Sequence, residues 1–314
     1  MWKYVLKRIL WMVVIMLCVT VVIFTITYFT PGNPARVLMG NSASEAEVAA
    51  KAAQLGIDKP VLVQMANYFN SVYLHGDFGV SWSTNSRVLD TIIERLPVTI
   101  IIGGLAMLLQ VIIGVPLGVL AAINQGKWQD YFSISLSLLL VSLPDFWVAL
   151  MAVIIFAVKL QWLPVSGMDT WKCFVIPIIA TAFTGIAQNA RQTRSSMLEV
   201  FRADFITTAR AKGQQEKKVI WGHMFPNAMM PIITMVIGGL GRVVGGSSII
   251  ENIFAIPGIG LYLLDGINNR DYPVIRGATV VLSLFSAAAV LLMDLVYAMI
   301  DPRIKAQYTT GKKG

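Results

Sequence analysis

The chain has 314 residues, of which 56% are hydrophobic and only 13% are charged, and its formal net charge is +8 at pH 7. A soluble domain of this length needs a larger charged surface, so the composition excludes an ordinary soluble protein and favours a chain embedded in a lipid bilayer. Two cysteines and two histidines are too few for a disulfide framework, and they form no recognisable metal site.

Six apolar segments recur along the chain, each close to or above the ~18 residues that cross a hydrocarbon core. They fall at 9–30, 98–123, 131–158, 173–190, 228–250 and 278–300. We therefore predict an all-α integral membrane protein with six transmembrane helices. The first segment is longer than the ~7–15 apolar residues of a signal peptide and lacks a small-residue cleavage pattern, so we expect it to be retained.

We predict four parts along the chain. They are a cytoplasmic N-terminus with the first helix at 1–30, an extracytoplasmic insertion at 31–97, a five-helix core at 98–300 with a cytoplasmic loop at 191–227, and a cytoplasmic tail at 301–314. With the N-terminus inside, the inner segments carry 15 Lys and Arg residues and the two short outer loops carry 4. Inner loops are enriched in these residues, so both termini are expected in the cytoplasm. This topology accounts for the net charge without nucleic-acid binding.

Within the insertion, Ser44 and Glu47 have the spacing of a helix-capping box. They predict an alanine-rich helix through Leu55 that Gly56 ends. A second helical stretch is expected from about Val61 to Leu74. These short helices would lie over the outer mouth of the bundle, or serve only as a spacer.

Glycines four residues apart occur in the second and fifth segments, as Gly114 with Gly118 and Gly241 with Gly245. Such pairs let membrane helices approach backbone to backbone. The two segments are therefore candidates for the wall of a pathway or for a dimer seam, and ordinary helix packing is the alternative.

Three charged residues fall inside predicted spans, and charges there are costly unless they are paired or wet. Asp145 and Arg242 each lie 14 residues from the inner end of their segment, or roughly 21 Å deep at ~1.5 Å per residue. We hypothesise that the two pair or line a wet cavity; alternatively, Arg242 extends outward and Asp145 caps a half-helix after Pro144. Asp294 is nearer the inner surface and is expected to bond to neighbouring helix ends. The candidate pathway residues are Asp145, Arg242, Ser247, Ser248 and Glu251.

The polar segment 191–227 is strongly helix-forming, with Gly213 as a break between two arms. A short helix with the small residues Ala209 and Ala211, flanked by Arg210 and Lys212, can enter a groove of a partner without steric clash. An ordinary basic inner loop is the alternative.

This segment resembles the cytoplasmic signature of permease subunits in binding-protein-dependent ABC importers, where Glu-Ala-Ala precedes a glycine and then Ile-x-Leu-Pro. Here Thr207-Thr-Ala209, Gly213 and His223-Met-Phe-Pro226 occupy those positions. The missing glutamate and isoleucine are typical of the dipeptide, oligopeptide and nickel branch. Further motifs resemble the first permease subunit of that branch: Gly76-Asp-Phe-Gly79, Gln161-Trp-Leu-Pro164 with Gly167, Arg194-Ser-Ser-Met-Leu-Glu199, Glu251-Asn-Ile-Phe-Ala-Ile-Pro-Gly-Ile-Gly260, Asn269-Arg-Asp-Tyr-Pro273 and Asp301-Pro-Arg303.

The resemblance implies a type I importer permease fold with a cytoplasmic coupling helix, in the bacterial inner membrane. It implies four protein partners beside the membrane lipid: a second permease, two ATPase subunits that bind ATP and Mg, and an extracytoplasmic substrate-binding protein on 31–97 and 251–276. No Gly-x4-Gly-Lys-Ser/Thr motif occurs, so no catalytic residue and no cofactor are expected in this chain. The implied coupling residues are Asp204, Thr207, Thr208, Ala209, Arg210, Ala211, Lys212 and Gly213.

The expected substrates are dipeptides or oligopeptides, and nickel or a metal chelate is the alternative within the family. Two other classes of transporter remain to be weighed. A passive channel is expected to show a selectivity loop, and the sequence shows none. A proton-coupled carrier could use Asp145 and Asp294, but no internal repeat is evident.

Overall fold

A computed structural model describes the backbone of residues 2–40, 42–245 and 248–300, and the side chains of 5–40, 42–241 and 248–296. These residues are helical apart from connecting loops and an isolated β-bridge between Val80 and Arg87. The prediction of an all-α membrane protein is confirmed.

The first half of the chain contains a long helix, a group of short helices and two further membrane elements. In order these are α1 Trp2–Phe29, α2 Pro34–Met39, α3 Glu45–Leu55, α4 Val61–Phe69, α5 Val88–Ile123, α6 Trp128–Ser142 and α7 Asp145–Ala152. The second half is α8 Val175–Phe201, α9 Asp204–Ala211, α10 Glu216–Lys218, α11 Phe225–Gly245, α12 Ser248–Ile253, α13 Ile259–Asn268 and α14 Tyr272–Ile300. A π-helical stretch extends each of α4 and α7 and joins α10 to α11, and a 3₁₀ turn precedes α8.

Within the described residues, five helical stretches are long and apolar enough to span a membrane, and they coincide with five of the six predicted segments. They are Val5–Phe29, Val88–Ile123, Trp171–Phe201, Glu216–Gly241 and Tyr272–Val296. The remaining segment is a bent pair, Trp128–Ser142 with Asp145–Lys159, whose two halves meet at 94°.

Segment 131–158 therefore contains the half-helix after Pro144 that was one of the two alternatives from sequence, and it is not one straight helix. The break lies at Leu143 and Pro144, where Leu143 is extended with ψ 125°. The proline ring disfavours helical geometry in the residue before it, and proline suits the start of the next helix. Asp145 consequently begins α7, and the depth inferred for it from a straight helix does not apply.

Helices α5 and α8 approach each other backbone to backbone. A Cβ atom at Gly114 would lie 2.6 Å from the Ile186 carbonyl oxygen and 2.8 Å from the Asn189 Cβ atom. One turn later, Gly118 faces the Ala190 carbonyl oxygen in the same way. The backbone contact predicted for these glycines is confirmed, and it serves packing between helices of this chain.

Substituting Gly114→Ala is expected to destabilise the protein, because the new methyl group meets backbone that cannot turn away. Overpacking costs about 1–3 kcal/mol, which the better helix propensity of alanine offsets by about 1 kcal/mol. Thermal unfolding of the purified protein in detergent measures the effect. Gly104→Ala on the same helix is the control, since nothing lies within 4 Å of its Cβ position. Equal melting temperatures for the two variants would contradict the close packing.

The capping box predicted at Ser44 is confirmed. The Ser44 backbone N–H donates to Glu47 Oε2 at 2.7 Å, and the Glu47 N–H donates to Ser44 Oγ at 3.3 Å. The Ser44 N–H lowers the pKa of the Glu47 carboxyl group. Gly56 ends α3 in the left-handed conformation, with φ 68°.

A buried carboxylate fastens the loop before α5 to the start of α14. Asp271 is fully buried and accepts hydrogen bonds from Ser81 Oγ at 2.7 Å, Ser83 Oγ at 2.8 Å and Ser83 N at 3.0 Å. In the sequence, Asp271 stands out only as part of the motif Asn269-Arg-Asp-Tyr-Pro273, and nothing near it identifies a partner. This attachment fixes the end of the bundle where α5 begins.

Candidate functional site

The short helix α9 is anchored to the membrane helices by one apolar face. Ile206 and Ala209 lie three residues apart, so they share that face, and they are 0% and 8% exposed. They belong to a buried group, here named the docking cluster, with residues from the ends of α5, α8 and α11 and the turn before α11. Its members are Val119, Ala122, Met197, Ile206, Ala209, Val219, Met224 and Ala228.

The other face of α9 is open to contact with a partner. Its exposed residues are Asp204, Phe205, Thr207, Thr208, Ala211 and, just after the helix, Lys212 and Gly213. Six of the eight residues predicted for coupling are therefore on the accessible side, Arg210 is intermediate, and Ala209 faces the docking cluster. Ala209 thus positions the helix through this chain's own core.

Arg210 is held by its own chain. Its Nη2 donates to Glu216 Oε1 at 2.6 Å and its Nε to Glu216 Oε2 at 3.1 Å. The guanidinium carbon also lies 4.4 Å from the centre of the Phe201 ring, and the Glu216 carboxylate raises the pKa of Arg210. This pair, here named the Arg210 clasp, closes the turn around Gly213, whose φ of 75° favours glycine.

The docking cluster can transmit a displacement of α9 to the membrane helices. Close-packed interiors transmit displacement because they contain little free volume. Since the cluster joins α9 to α5, α8 and α11, a displacement of α9 reaches three membrane helices through direct contacts. The arrangement can therefore convert a push on the exposed face of α9 into movement of the bundle.

A buried ion pair at the same end of the bundle was not predicted from the sequence. Asp130, at the start of α6, is 2% exposed. It accepts hydrogen bonds from Arg194 Nε at 2.5 Å and Arg194 Nη2 at 2.9 Å, and from the Gly126 N–H at 3.0 Å. Arg194 was noticed only as part of a motif, and nothing local in the sequence pairs it with Asp130.

The residues predicted for a pathway do not form one group in the described part of the chain. Asp145 is exposed at the start of α7, and it accepts a 2.5 Å hydrogen bond from Thr184 Oγ1 on α8. The Arg242 side chain and Ser247 lie outside the described residues, so the pairing of Arg242 with Asp145 stays a prediction. Ser248 is partly buried at the start of α12, where Gly260 packs against it.

Glu251 lies in the core and has no exposed surface. Its Oε1 accepts a hydrogen bond from Thr99 Oγ1 at 2.8 Å, and its Oε2 accepts one from the Leu261 N–H at 3.0 Å. Gly258 packs directly on the carboxylate. The carboxylate therefore faces α5 and the start of α13 rather than an open cavity of this chain.

Asp294, the third charge in a predicted span, pairs with α1. Its Oδ2 lies 2.6 Å from Arg8 Nη1. This agrees with the expectation that Asp294 bonds to a neighbouring helix near the end of the bundle.

Comparison with known proteins gives two adjoining family matches. Residues 114–306 match the family described as "Binding-protein-dependent transport system inner membrane component". Residues 1–103 match "Binding-prot-dependent transport system membrane comp, N-term". The two matches together cover nearly the whole chain.

Two relatives are similar over almost their full length. The chain is 38% identical to the dipeptide transport system permease protein DppB of Alkalihalophilus pseudofirmus, covering 97% of this chain and 100% of the relative. It is 36% identical to the glutathione transport system permease protein GsiC of Salmonella typhimurium, covering 97% of this chain and 99% of the relative.

Proposed function

Because this chain belongs to the family of inner membrane components of binding-protein-dependent transport systems, we propose that the importer it helps to form takes up dipeptides or short oligopeptides. The relatives named for dipeptide and glutathione transport support this substrate class. Both substrates are short peptides or peptide derivatives with free carboxylates. Nickel uptake, the alternative from sequence, has no support from these names.

The chain is a multi-pass permease subunit of an ABC importer in the inner membrane. It is not itself the enzyme, because ATP hydrolysis in such systems belongs to partner ATPase subunits. A substrate-binding protein is the other kind of partner that the family implies. A passive channel and a secondary carrier, the two other classes considered from sequence, are not favoured.

The proposed complete assembly contains a second, similar permease and two ATPase subunits. Both termini and α9 would face the cytoplasm, which the distribution of Lys and Arg supports. The substrate-binding protein would then dock on the opposite side, over the short helices α2 to α4 and the segment 251–276. ATP and Mg would be bound by the ATPase subunits.

The observation that carries the proposed mechanism is the two-faced character of α9. One face is locked into the docking cluster and the other is exposed. An ATPase subunit that grips the exposed face would move α5, α8 and α11 when it closes on ATP. Coupling requires that the contact differ in free energy between the two states of the transporter.

The peptide assignment is tested by uptake into proteoliposomes that contain the full permease–ATPase complex. With the cognate binding protein outside and ATP inside, labelled dipeptide is expected to accumulate, while nickel ions are not. Accumulation of nickel but not dipeptide would overturn the assignment. Accumulation of dipeptide without ATP would point to a passive channel or secondary carrier.

Reversing the charges of the Arg210 clasp tests its role. Arg210→Glu and Glu216→Arg are each expected to lower substrate-stimulated ATP hydrolysis, and the double variant is expected to recover most of the loss. The effect on stability should be small, about 0.2–1 kcal/mol, because the two side chains are 31% and 56% exposed. Stimulated hydrolysis by the purified complex is the measurement. A double variant as impaired as the single ones would mean that Arg210 contacts the ATPase directly.

A further inference from the structure

A cavity of about 600 Å³ lies at the end of the bundle opposite to α9. It is open to one side and is lined by the end of α3, by α4, by the loop 77–85 and by the start of α14. Three cationic side chains line it, Lys51, Lys59 and Arg276, against one carboxylate, that of Asp77. The cavity is therefore suited in charge to an anion, and its volume lies within the range of roughly 300–1,000 Å³ that is typical of small-molecule sites.

Arg276 is the unusual residue of this cavity, because it is only 8% exposed. Its Nε donates a 2.8 Å hydrogen bond to Thr27 Oγ1, and its guanidinium carbon lies 3.9 Å from the centre of the Phe24 ring. Among the described residues, no carboxylate is within 4.0 Å of the guanidinium. Buried charges in proteins are normally paired.

The hydroxyl of Tyr68 is a second polar group of the cavity. The Tyr68 hydroxyl is buried and makes no hydrogen bond within the described residues. Burial raises the pKa of this phenol, so it remains a neutral donor. Its ring centre is 5.7 Å from the Arg276 guanidinium carbon, and both residues line the cavity.

The aromatic rings around Arg276 stabilise its charge but do not accept hydrogen bonds from its in-plane N–H groups. Phe24, Tyr68 and Tyr272 all lie within 5.7 Å of the guanidinium carbon, and such contacts attract a cation to the ring face. A ring face offers no in-plane acceptor for the paired N–H groups of guanidinium. A carboxylate matches that fork with two parallel hydrogen bonds.

We propose that this cavity binds the carboxylate of a small organic anion, held by the guanidinium of Arg276 and the hydroxyl of Tyr68. The C-terminal carboxylate of a short peptide is the ligand that we assign to it. That choice of ligand rests on the proposed function, whereas the carboxylate chemistry rests on Arg276 and Tyr68 alone. The site lies far from α9, so it would hold peptide where it enters the transporter.

Binding to the purified permease–ATPase complex, without its binding protein, tests the proposal. Isothermal titration calorimetry measures the binding of three probes. They are the dipeptide Ala-Ala, its C-terminal amide, and acetate as a carboxylate that is not a peptide. Ala-Ala is expected to bind at least about tenfold more tightly than its amide, since the charge-assisted pair is lost. Arg276→Gln should remove this preference, and Tyr68→Phe should weaken Ala-Ala binding about fivefold. Acetate should compete with Ala-Ala in the wild type.

Arg95→Gln is the matched control. It removes a cation at the same end of the bundle that packs on Tyr262 outside the cavity, and it should bind Ala-Ala as the wild type does. Equal binding of acid and amide, or wild-type affinity in Arg276→Gln, would overturn the proposal. If Arg276→Gln does not fold, Tyr68→Phe decides, and wild-type affinity there would overturn it. The complex could bind Ala-Ala and its amide equally and still take up dipeptide in proteoliposomes. That result would refute this site while leaving the peptide function intact.

Discussion

The variant Ala211→Trp is expected to lose stimulation of ATP hydrolysis by the loaded substrate-binding protein while its helices stay folded. Ala211 is exposed on α9, on the side away from the docking cluster. Because Ala211 is exposed, an indole ring there would project into the space where an ATPase would grip the helix. Coupling free energies of about 1–3 kcal/mol correspond to about 5- to 150-fold in affinity, so we expect the ratio of stimulated to unstimulated hydrolysis to fall at least about fivefold.

The measurement is ATP hydrolysis by the reconstituted complex with and without loaded binding protein, beside circular dichroism of the same preparation. Ala211→Ser keeps the side chain small and should retain stimulation. Gly213→Pro should also lose stimulation, but it is a less clean test, because proline cannot adopt the φ of 75° found there. Full stimulation in Ala211→Trp would show that α9 is not the coupling element.

The variant Glu251→Ala is expected to be among the most destabilising single changes in the chain. It removes a fully buried carboxylate and leaves the Thr99 hydroxyl and the Leu261 N–H without their acceptor. Each buried polar group left unsatisfied costs about 1–3 kcal/mol, and the lost side-chain volume adds a cavity. We therefore expect a loss of about 3 kcal/mol or more and a large fall in the melting temperature.

Thermal unfolding in detergent measures this loss. Glu94→Ala removes an exposed glutamate from α5 and should change stability by no more than about 0.5 kcal/mol. The comparison also separates two roles for Glu251. A stable Glu251→Ala protein that folds normally but no longer transports would restore Glu251 to the pathway predicted from sequence and contradict a structural role.

Several features followed from local sequence because their causes are local. The capping box at Ser44, the end of α3 at Gly56 and the close approach at Gly114 each depend on residue types within one or two turns of helix. The exposed helix around Ala211 followed from small and basic residues between breaks. The break after Pro144 was one of two alternatives from sequence, but the 94° angle between the two halves was not predicted, because the apolar composition of a segment does not determine its direction.

The buried polar contacts could not be predicted in the same way, because their partners are distant in the sequence. Asp130 and Arg194 are 64 residues apart, Thr99 and Glu251 are 152 apart, and Ser81 and Asp271 are 190 apart. For this reason Glu251 was assigned to a pathway although its acceptors are used within the core. Hydropathy identifies a charge in an apolar segment but does not identify what neutralises it.

Local sequence is enough to identify the membrane environment of this protein, its membrane segments and the position of α9, because hydrophobicity and helix-end signals act over short distances. Which face of α9 is anchored, and which charges of the described residues are paired, are known only from the folded structure. Those outcomes depend on how helices far apart in the sequence pack together. Arg276, which no carboxylate of the described residues approaches within 4.0 Å, meets the ring of Tyr68 only once α1, α4 and α14 have packed together.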